Sequence, residues 1–372
     1  MHARFMLVCS VCATLALACS AGRAQSTASR NNAGRFYVQH NLVSDGTVSA
    51  DNMDANLVNA WGVAFNPFGF VWVANNGTGT STLYDGSGKP QSLVVQIPTP
   101  STDSGGNPTG IVFNGSNAFV VSKAGTSGAS RFIFVTEDGV VAAWSPGVDA
   151  THAVLAVDNS PAGAIYKGAA LSAGGSGQLL YATDFHNGRV DVFDGNFASV
   201  TLTGPAFVDA KLPPGFAPFG IQAINGDIYV TYALQDAAKE DEQHGPGLGY
   251  VDVYDPNGKL LRRVASRGHL NAPWGIALAP AGFGVFGNTL LIGNFGDGRI
   301  NAYDPVLHFP LGPLSDQNHH PLKIDGLWGI AFGNGFANQP VNTLFFTAGP
   351  DDEQHGLYGR IDAVGSSSDD DD

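Results

Sequence analysis

Two short loops hold the densest set of chemically capable side chains in this sequence. Glu240-Asp241-Glu242-Gln243-His244-Gly245 and Asp351-Asp352-Glu353-Gln354-His355-Gly356 are near copies, differing only where Glu240 is replaced by Asp351 with its charge kept. Carboxylates suit Ca2+, and carboxylate with imidazole suits Zn2+ or Mn2+. On that chemistry Asp241, Glu242, His244, Asp352, Glu353 and His355 are candidate metal ligands. A structural reading stands beside it. The carboxylates would accept backbone N–H bonds within their own turns, with Arg189, Arg299 and Arg360 as ion-pair partners. Catalysis by the loops is a third reading.

A second set is defined by what precedes a recurring glycine. Trp61, Thr109, Lys167, Phe219, Trp274 and Trp328 stand immediately before Gly62, Gly110, Gly168, Gly220, Gly275 and Gly329. Four of these six residues are aromatic, which permits two roles. They wedge between neighbouring repeats, the glycine allowing close approach, or they form a mouth for a sugar or planar ligand. On the second role Trp61, Lys167, Asp184, His186, Phe219, Trp274 and Trp328 are ligand-binding candidates, and Lys167 pairs with Asp184 or with an anionic ligand. His186, in the turn Asp184-Phe185-His186-Asn187-Gly188, is a turn residue or a general base. Asn75, Asp184 and Asn294 end apolar strands and join the metal-ligand candidates. The sequence has no nucleophile elbow, no phosphate loop followed by Lys-Ser/Thr, and no His-Glu-x-x-His motif.

The elements that must position these residues repeat six times. The anchor glycines are 48, 58, 52, 55 and 54 residues apart. Each opens an apolar strand, followed by a second apolar strand, a turn, and a third strand of Val-Asp-Val-Tyr type ending near Tyr/Phe-Asp. Period-two alternation marks the third strand as having one buried face, and the second reads as covered on both. Outer fourth strands follow, for example Gln91 to Ile97 and Leu260 to Ala265. A repeat of about 50 residues with four strands predicts an all-β, six-bladed propeller with antiparallel blades. The last unit lacks its outer strand, and Phe36 to Val43 supplies it, closing the ring. In this architecture the loops between second and third strands share a face with the segments leading into first strands. That rim would gather Asn75, Asn76, Asp184 to Asn187, Asn294 to Asp297, Asn59, Asn107, Asn271 and both acidic loops.

Composition bounds the function classes. Residues 1–24 read as a signal peptide: Arg4, the apolar run Phe5 to Cys19, then small residues. Residues 25–34 form a linker, 35–364 the propeller, and 365–372 a disordered Ser-Asp tail. The protein is expected to be exported, periplasmic or extracellular, with lipidation of Cys19 as the lesser alternative. All three cysteines, Cys9, Cys12 and Cys19, lie in the leader, so the mature chain has no disulfide or thiolate site. Without Arg4 and Arg23, 16 basic residues face 32 acidic ones, a net charge of −16. That excludes nucleic acid as a partner and favours cations. No membrane-spanning segment is expected in the mature chain.

The phrases Pro273-Trp274-Gly275-Ile276-Ala277, Asn294-Phe295-Gly296-Asp297-Gly298-Arg299-Ile300 and Val253-Tyr254-Asp255-Pro256-Asn257-Gly258 resemble NHL-type propeller repeats. Over nearly the whole mature chain, including Asn56 to Gly62 and both Glu-Gln-His-Gly loops, the sequence is similar to an uncharacterised bacterial family of exported propellers. Some of its members end in a PEP-CTERM sorting tail, where this chain ends in Asp residues. The resemblance implies the fold and no activity. A binding or interaction protein using one loop-rich face and the channel is the leading expectation, with a small molecule, glycan or envelope protein as partner. The alternative is a divalent-metal-dependent hydrolase or lyase, by analogy with gluconolactonase-like propellers, whose channel Glu, Asn and Asp hold the ion. An envelope scaffold is a third.

Overall fold

The computed structural model describes residues 34–174 and 177–364. The leader and the acidic tail lie outside the described residues. The strands form six sheets around one axis, in the order of the six sequence repeats. Blade one is Ala60–Phe65, Val71–Asn75, Thr80–Tyr84 and Pro90–Gln96, paired antiparallel from the inside outwards. Blade two follows with Pro108–Phe113, Phe132–Thr136, Val140–Trp144 and Val154–Asp158, and blade four with Phe216–Ile224, Asp227–Gln235, Tyr250–Tyr254 and Leu260–Ser266. Blade five is Pro273–Leu278, Leu290–Asn294, Ile300–Tyr303 and Pro310–Pro313. Blade three has three full strands, Tyr166–Gly174, Gly177–Asp184 and Arg189–Asp194, with a bridge from Phe193 to Ser199 where a fourth would begin.

Blade six joins both ends of the chain. Leu327–Phe332, Leu344–Ala348 and Leu357–Val364 are completed by Phe36–Ser44, which runs antiparallel along Leu357–Val364. This is the closure expected from the sequence, and it covers a sheet edge that would otherwise template aggregation.

The anchor glycines show why the ring is tight. A Cβ added at Gly62 would lie 2.3 Å from the Thr109 carbonyl oxygen, at Gly220 2.0 Å from that of Trp274, and at Gly275 2.7 Å from that of Trp328. At Gly329 the same atom would meet the Trp61 carbonyl at 2.9 Å, which closes the circle. The close approach is made by the neighbouring residue's backbone, where the sequence had suggested its ring.

Two other features differ from expectation. Third strands such as Thr80–Tyr84 and Tyr250–Tyr254 are buried along their whole length. Their polar positions face a neighbour and are paired there: buried Asp252 accepts from Arg263 Nε at 2.7 Å, and Arg263 also bonds Asp209. Alternation therefore marked partnered polar groups inside the protein and not a solvated face. The second is an extra hairpin, Val120–Lys123 with Thr126–Ala129, inserted between the first two strands of blade two.

Candidate functional site

The rim is built by one backbone bond repeated in every blade. The last residue of the second strand, in blade four, or the residue just after it, in the other five, donates its N–H to the carbonyl just before the first strand. The pairs are Asn76 to Asn59, Glu137 to Asn107, Phe185 to Ile165, Gln235 to Gly215, Phe295 to Ala272 and Gly349 to Gly326, at 2.8–3.0 Å. The approach segments and second-to-third-strand loops therefore share one face, as the repeat pattern predicted. Asn59 and Ala272 hold left-handed backbone, both with φ of 45°. Such strain persists only where the surroundings impose it.

At the centre of this face stands Lys167, at the start of the first strand of blade three, its side chain 1% exposed. Its Nζ donates to Glu137 Oε1 at 2.5 Å and to Asp241 Oδ1 at 3.1 Å, and lies 5.2 Å from the centre of the Trp61 ring. Burial would lower the ammonium's pKa. The negative charges of Glu137, Glu242 and Asp241 outweigh it and hold the pKa above its ordinary value.

A polar chain continues from there around the rim. Glu137 Oε2 accepts from Asn76 Nδ2 at 2.8 Å, and Asn59 Nδ2 reaches Asn76 Oδ1 at 3.3 Å and Glu353 Oε2 at 2.6 Å. Asn59 Oδ1 in turn accepts from Trp328 Nε1 at 3.0 Å. Burial, together with the charges of Glu242 and Glu137, lifts Glu353 to about 7, against the opposing pull of Lys167 and the Asn59 bond. Glu242, 4% exposed, accepts from His244 Nε2 at 3.2 Å. That bond, reinforced by the charges of Glu242, Glu353 and Asp352, raises the His244 pKa against its partial burial. The His244 ring meets Phe295 edge-on at 5.1 Å.

Beneath the polar layer the channel is filled by aromatic rings. Trp61 stacks on Trp328 at 3.7 Å, Phe295 on the other side of Trp328 at 3.8 Å, and Phe219 packs edge-on against it at 5.8 Å. Trp61, Phe219 and Trp328 are fully buried, so they form the floor of the mouth and not its walls. Trp274 remains half-exposed, its Nε1 donating to the Lys167 carbonyl at 2.9 Å.

The sequence candidates thus divide. Lys167, Asp241, Glu242, His244 and Glu353 converge above Trp61, Phe219, Trp274 and Trp328, with Asp352 close enough to act on His244 by its charge. The remaining candidates have other partners. Lys167 does not pair with Asp184. Buried Asp184 instead accepts from Asn187 and the Ile165 N–H and lies 3.3 Å from Arg189. Burial still raises the Asp184 carboxyl against those bonds. Asn75 donates to Thr80 and Thr82, and Asn294 to the His269 carbonyl and Asp297. The carbonyl of His186 accepts from Gln235, while its Nδ1 is buried without a partner. His355 turns outward to Asp45 at 2.7 Å. Arg189, Arg299 and Arg360 pair with Asp191, Asp297 and Asp362 respectively, and not with the acidic loops. Among the described residues no three His, Cys, Asp or Glu side chains are placed to share an ion, and no helix is long and apolar enough to cross a membrane.

Glu137 and the pivotal role of Asn59 were missed from sequence. The signal for Glu137 was present: Thr136-Glu137-Asp138-Gly139 is the blade-two turn equivalent to Asn75-Asn76.

No protein-family profile matches the chain. Uncharacterized protein R648 of Acanthamoeba polyphaga mimivirus is 34% identical over 328 residues, spanning 86% of this chain and 78% of the relative. Uncharacterized protein L690 of the same virus is 32% identical over 330 residues, spanning 86% and 84%. These relatives are viral, where bacterial ones were expected. Among solved structures, a protein of unknown function from Bacteroides thetaiotaomicron gives a TM-score of 0.54 at 12% identity over 88% of this chain and 76% of that one. A glucose dehydrogenase gives 0.53 at 14% over 89% and 100%. Catalytically inactive virginiamycin B lyase from Staphylococcus aureus, with quinupristin, gives 0.50 at 12% over 88% and 99%. At these identities the likeness is one of fold, the six-bladed propeller shared by lyases, dehydrogenases and proteins of other kinds.

Proposed function

We propose, for a chain that belongs to the family of the mimivirus proteins R648 and L690, a binding protein that takes up a small amine-bearing molecule at the acidic mouth of its channel. One observation carries the reading. Glu137, Asp241 and Glu242 surround the lone ammonium of Lys167, with Glu353 and Asp352 beside them. Negative charge is in excess within a partly dehydrated recess, where attraction for a second ammonium is stronger than on open surface. Half-exposed Trp274 and the edge of Phe295 offer apolar contact for the ligand's hydrocarbon part. Lys167 holds the carboxylates of blades two and four together and leaves Glu242 and Glu353 to meet the ligand.

Calorimetric titration with spermidine and with glucosamine, using maltose as the neutral control, tests this. The amines bind, more weakly as salt rises, and Glu242→Gln and Glu353→Gln each weaken binding at least tenfold. Failure of both amines to bind, or binding indifferent to both substitutions, removes the reading. Binding of maltose alone would restore the glycan-mouth alternative.

A second reading, a divalent-metal-dependent hydrolase or lyase, is favoured by Glu353. A carboxyl tuned near neutrality beside a raised histidine is suited to proton transfer. Lys167 Nζ already stands where carboxylates of two blades converge, so an ion would have to lie beside it, toward Glu242, Asp352 and Glu353. Metal analysis of the purified protein and a melt with chelator decide: no ion and an unchanged melting temperature set this reading aside.

We further propose export, by a leader ending near Ala24. N-terminal sequencing of the mature protein after cell fractionation tests it, and an intact Met1 in the cytoplasmic fraction refutes it.

A further inference from the structure

The opposite end of the channel has a different chemistry. Past the anchor glycines, the first strands of all six blades run on towards the other face. Their side chains line a cavity of about 390 Å3, whose wall includes Val63, Ile111, Leu171, Ile276, Leu278 and Phe332. Its inner end is stopped by the stacked rings of Trp61, Trp328 and Phe295. Among the described residues no ionisable side chain lines it, and Gln222 is its one polar side chain. The inner edges of the first strands add backbone amide groups, so that polar surface makes up more of the accessible wall than apolar surface does. In a chain of net charge −14, a mouth built without a charge excludes ions, because a charge brought there would lose its water without gaining a partner.

We infer that this blind well is a second binding site, for one uncharged small molecule that has both a hydrocarbon body and hydrogen-bonding groups for the exposed strand edges. The volume falls in the range of small-molecule sites, roughly 300–1,000 Å3, and is too small for a folded segment of another protein. Water filling it, at about 30 Å3 per molecule, would lie against Val63, Leu171, Leu278 and Phe332. All four are half-exposed apolar side chains that the fold leaves uncovered. A hydrocarbon body covers them, and an amide or hydroxyl on the ligand meets Gln222 or a strand edge. The inference does not depend on the acidic mouth, which lies on the other side of the aromatic floor.

The test is fluorescence titration with N-phenyl-1-naphthylamine, with 1-octanol as competitor. The expected result is saturable one-to-one binding that octanol displaces. Ala223→Phe, which fills the well from its mouth, weakens binding at least tenfold. Leu278→Glu, which places a charge in the wall, does the same and carries the test if Ala223→Phe does not fold, as judged by circular dichroism. Phe68→Ser, at an exposed residue outside the well, leaves the affinity unchanged. Absence of binding to the folded wild type, equal affinity in both well variants, or loss of binding in Phe68→Ser would overturn the inference.

Discussion

Asn59 Nδ2 donates to Glu353 Oε2 across 2.6 Å, joining the first blade to the last. The same Asn59 accepts from Trp328 and reaches Asn76, so one buried amide ties the aromatic floor, the ring closure and the acidic mouth together. Gly349 leaves room for it, since a Cβ there would lie 2.2 Å from Asn59 Oδ1. The state of Glu353 is therefore linked both to closure of the ring and to the charge that a ligand meets.

Glu353 sets a pH dependence of known sign. Its pKa is about 7 in the folded protein against 4.5 ordinarily, so the fold binds its proton more tightly than the unfolded chain does. Its contribution to stability is complete below about pH 4.5 and is lost as pH rises through 7. Glu353→Gln keeps an acceptor for Asn59 and removes the charge. It should raise stability at pH 8 by about 1–2 kcal/mol and leave it nearly unchanged at pH 4.5, measured by urea melts at both values. Binding of a cationic ligand to the wild type should strengthen from pH 6 to pH 8 with release of a proton, and a flat profile would separate Glu353 from the site.

Lys167 is the buried partner that cannot be removed alone. Lys167→Met leaves Glu137 and Glu242 crowded in a dehydrated recess without their counter-charge, at a cost of about 3–5 kcal/mol. Adding Glu137→Gln to Lys167→Met should recover part of that loss. Chemical denaturation of the single and double variants reads the difference. A double variant no more stable than Lys167→Met would show that the ammonium serves packing and not charge balance.

The repeat made the ring legible because each blade solves the same packing problem with the same residues. The spacing of Gly62, Gly110 and their counterparts located the innermost strands, and the missing outer strand of blade six located Phe36–Ser44. The rim also followed, since strand order alone decides which loops share a face. What the sequence did not yield were choices made between blades. Twin loops were read as twins, yet Glu353 follows Asp351 and Asp352 in a run of three left-handed residues, while Glu242 pairs as a short strand against Gln235. Neighbours decide such conformations: Gly356 sits against the Leu57 carbonyl, and blade four has no equivalent N-terminal strand beside it. Glu137 was overlooked because, although the repeat places its turn where Asn75-Asn76 stands in blade one, its residue types match no other blade. It becomes significant only when Lys167 is placed opposite it.

Gly220 tests the ring's geometry directly. Gly220→Ala would push a methyl group to 2.0 Å from the Trp274 carbonyl oxygen, so the first strands of blades four and five must separate. A loss of about 1–3 kcal/mol is expected from such overpacking, read as a lower midpoint in urea. Gly105→Ala is the contrast in space: a Cβ there meets nothing within 4 Å, although its φ of 82° adds strain. Equal losses at both positions would assign the effect to backbone freedom and not to the contact between blades.

The two histidines of the repeated loops should separate function from architecture. His355 Nδ1 lies 2.7 Å from Asp45 and 3.0 Å from Thr47, in the segment that follows the closing strand. His355→Ala should therefore weaken closure, costing about 1–2 kcal/mol for a hydrogen bond to a charged group, with ligand affinity kept. His244 is partly exposed and held by Glu242 beside Phe295, within the mouth. Its pKa is raised, so its stabilising bond is complete below the ordinary histidine range and fades as pH rises through the raised value. His244→Ala should cost less stability at pH 8 than at pH 6, and change affinity for a cation. The direction is informative: removing a neighbour that competes for Glu242 strengthens binding of an amine, whereas a histidine that contacts the ligand weakens it when lost. Thermal melts and amine titrations of both variants at pH 6 and pH 8 distinguish these outcomes. Identical behaviour of the two would mean that the twin loops are caps of one kind, and the acidic mouth would lose its claim to be a site.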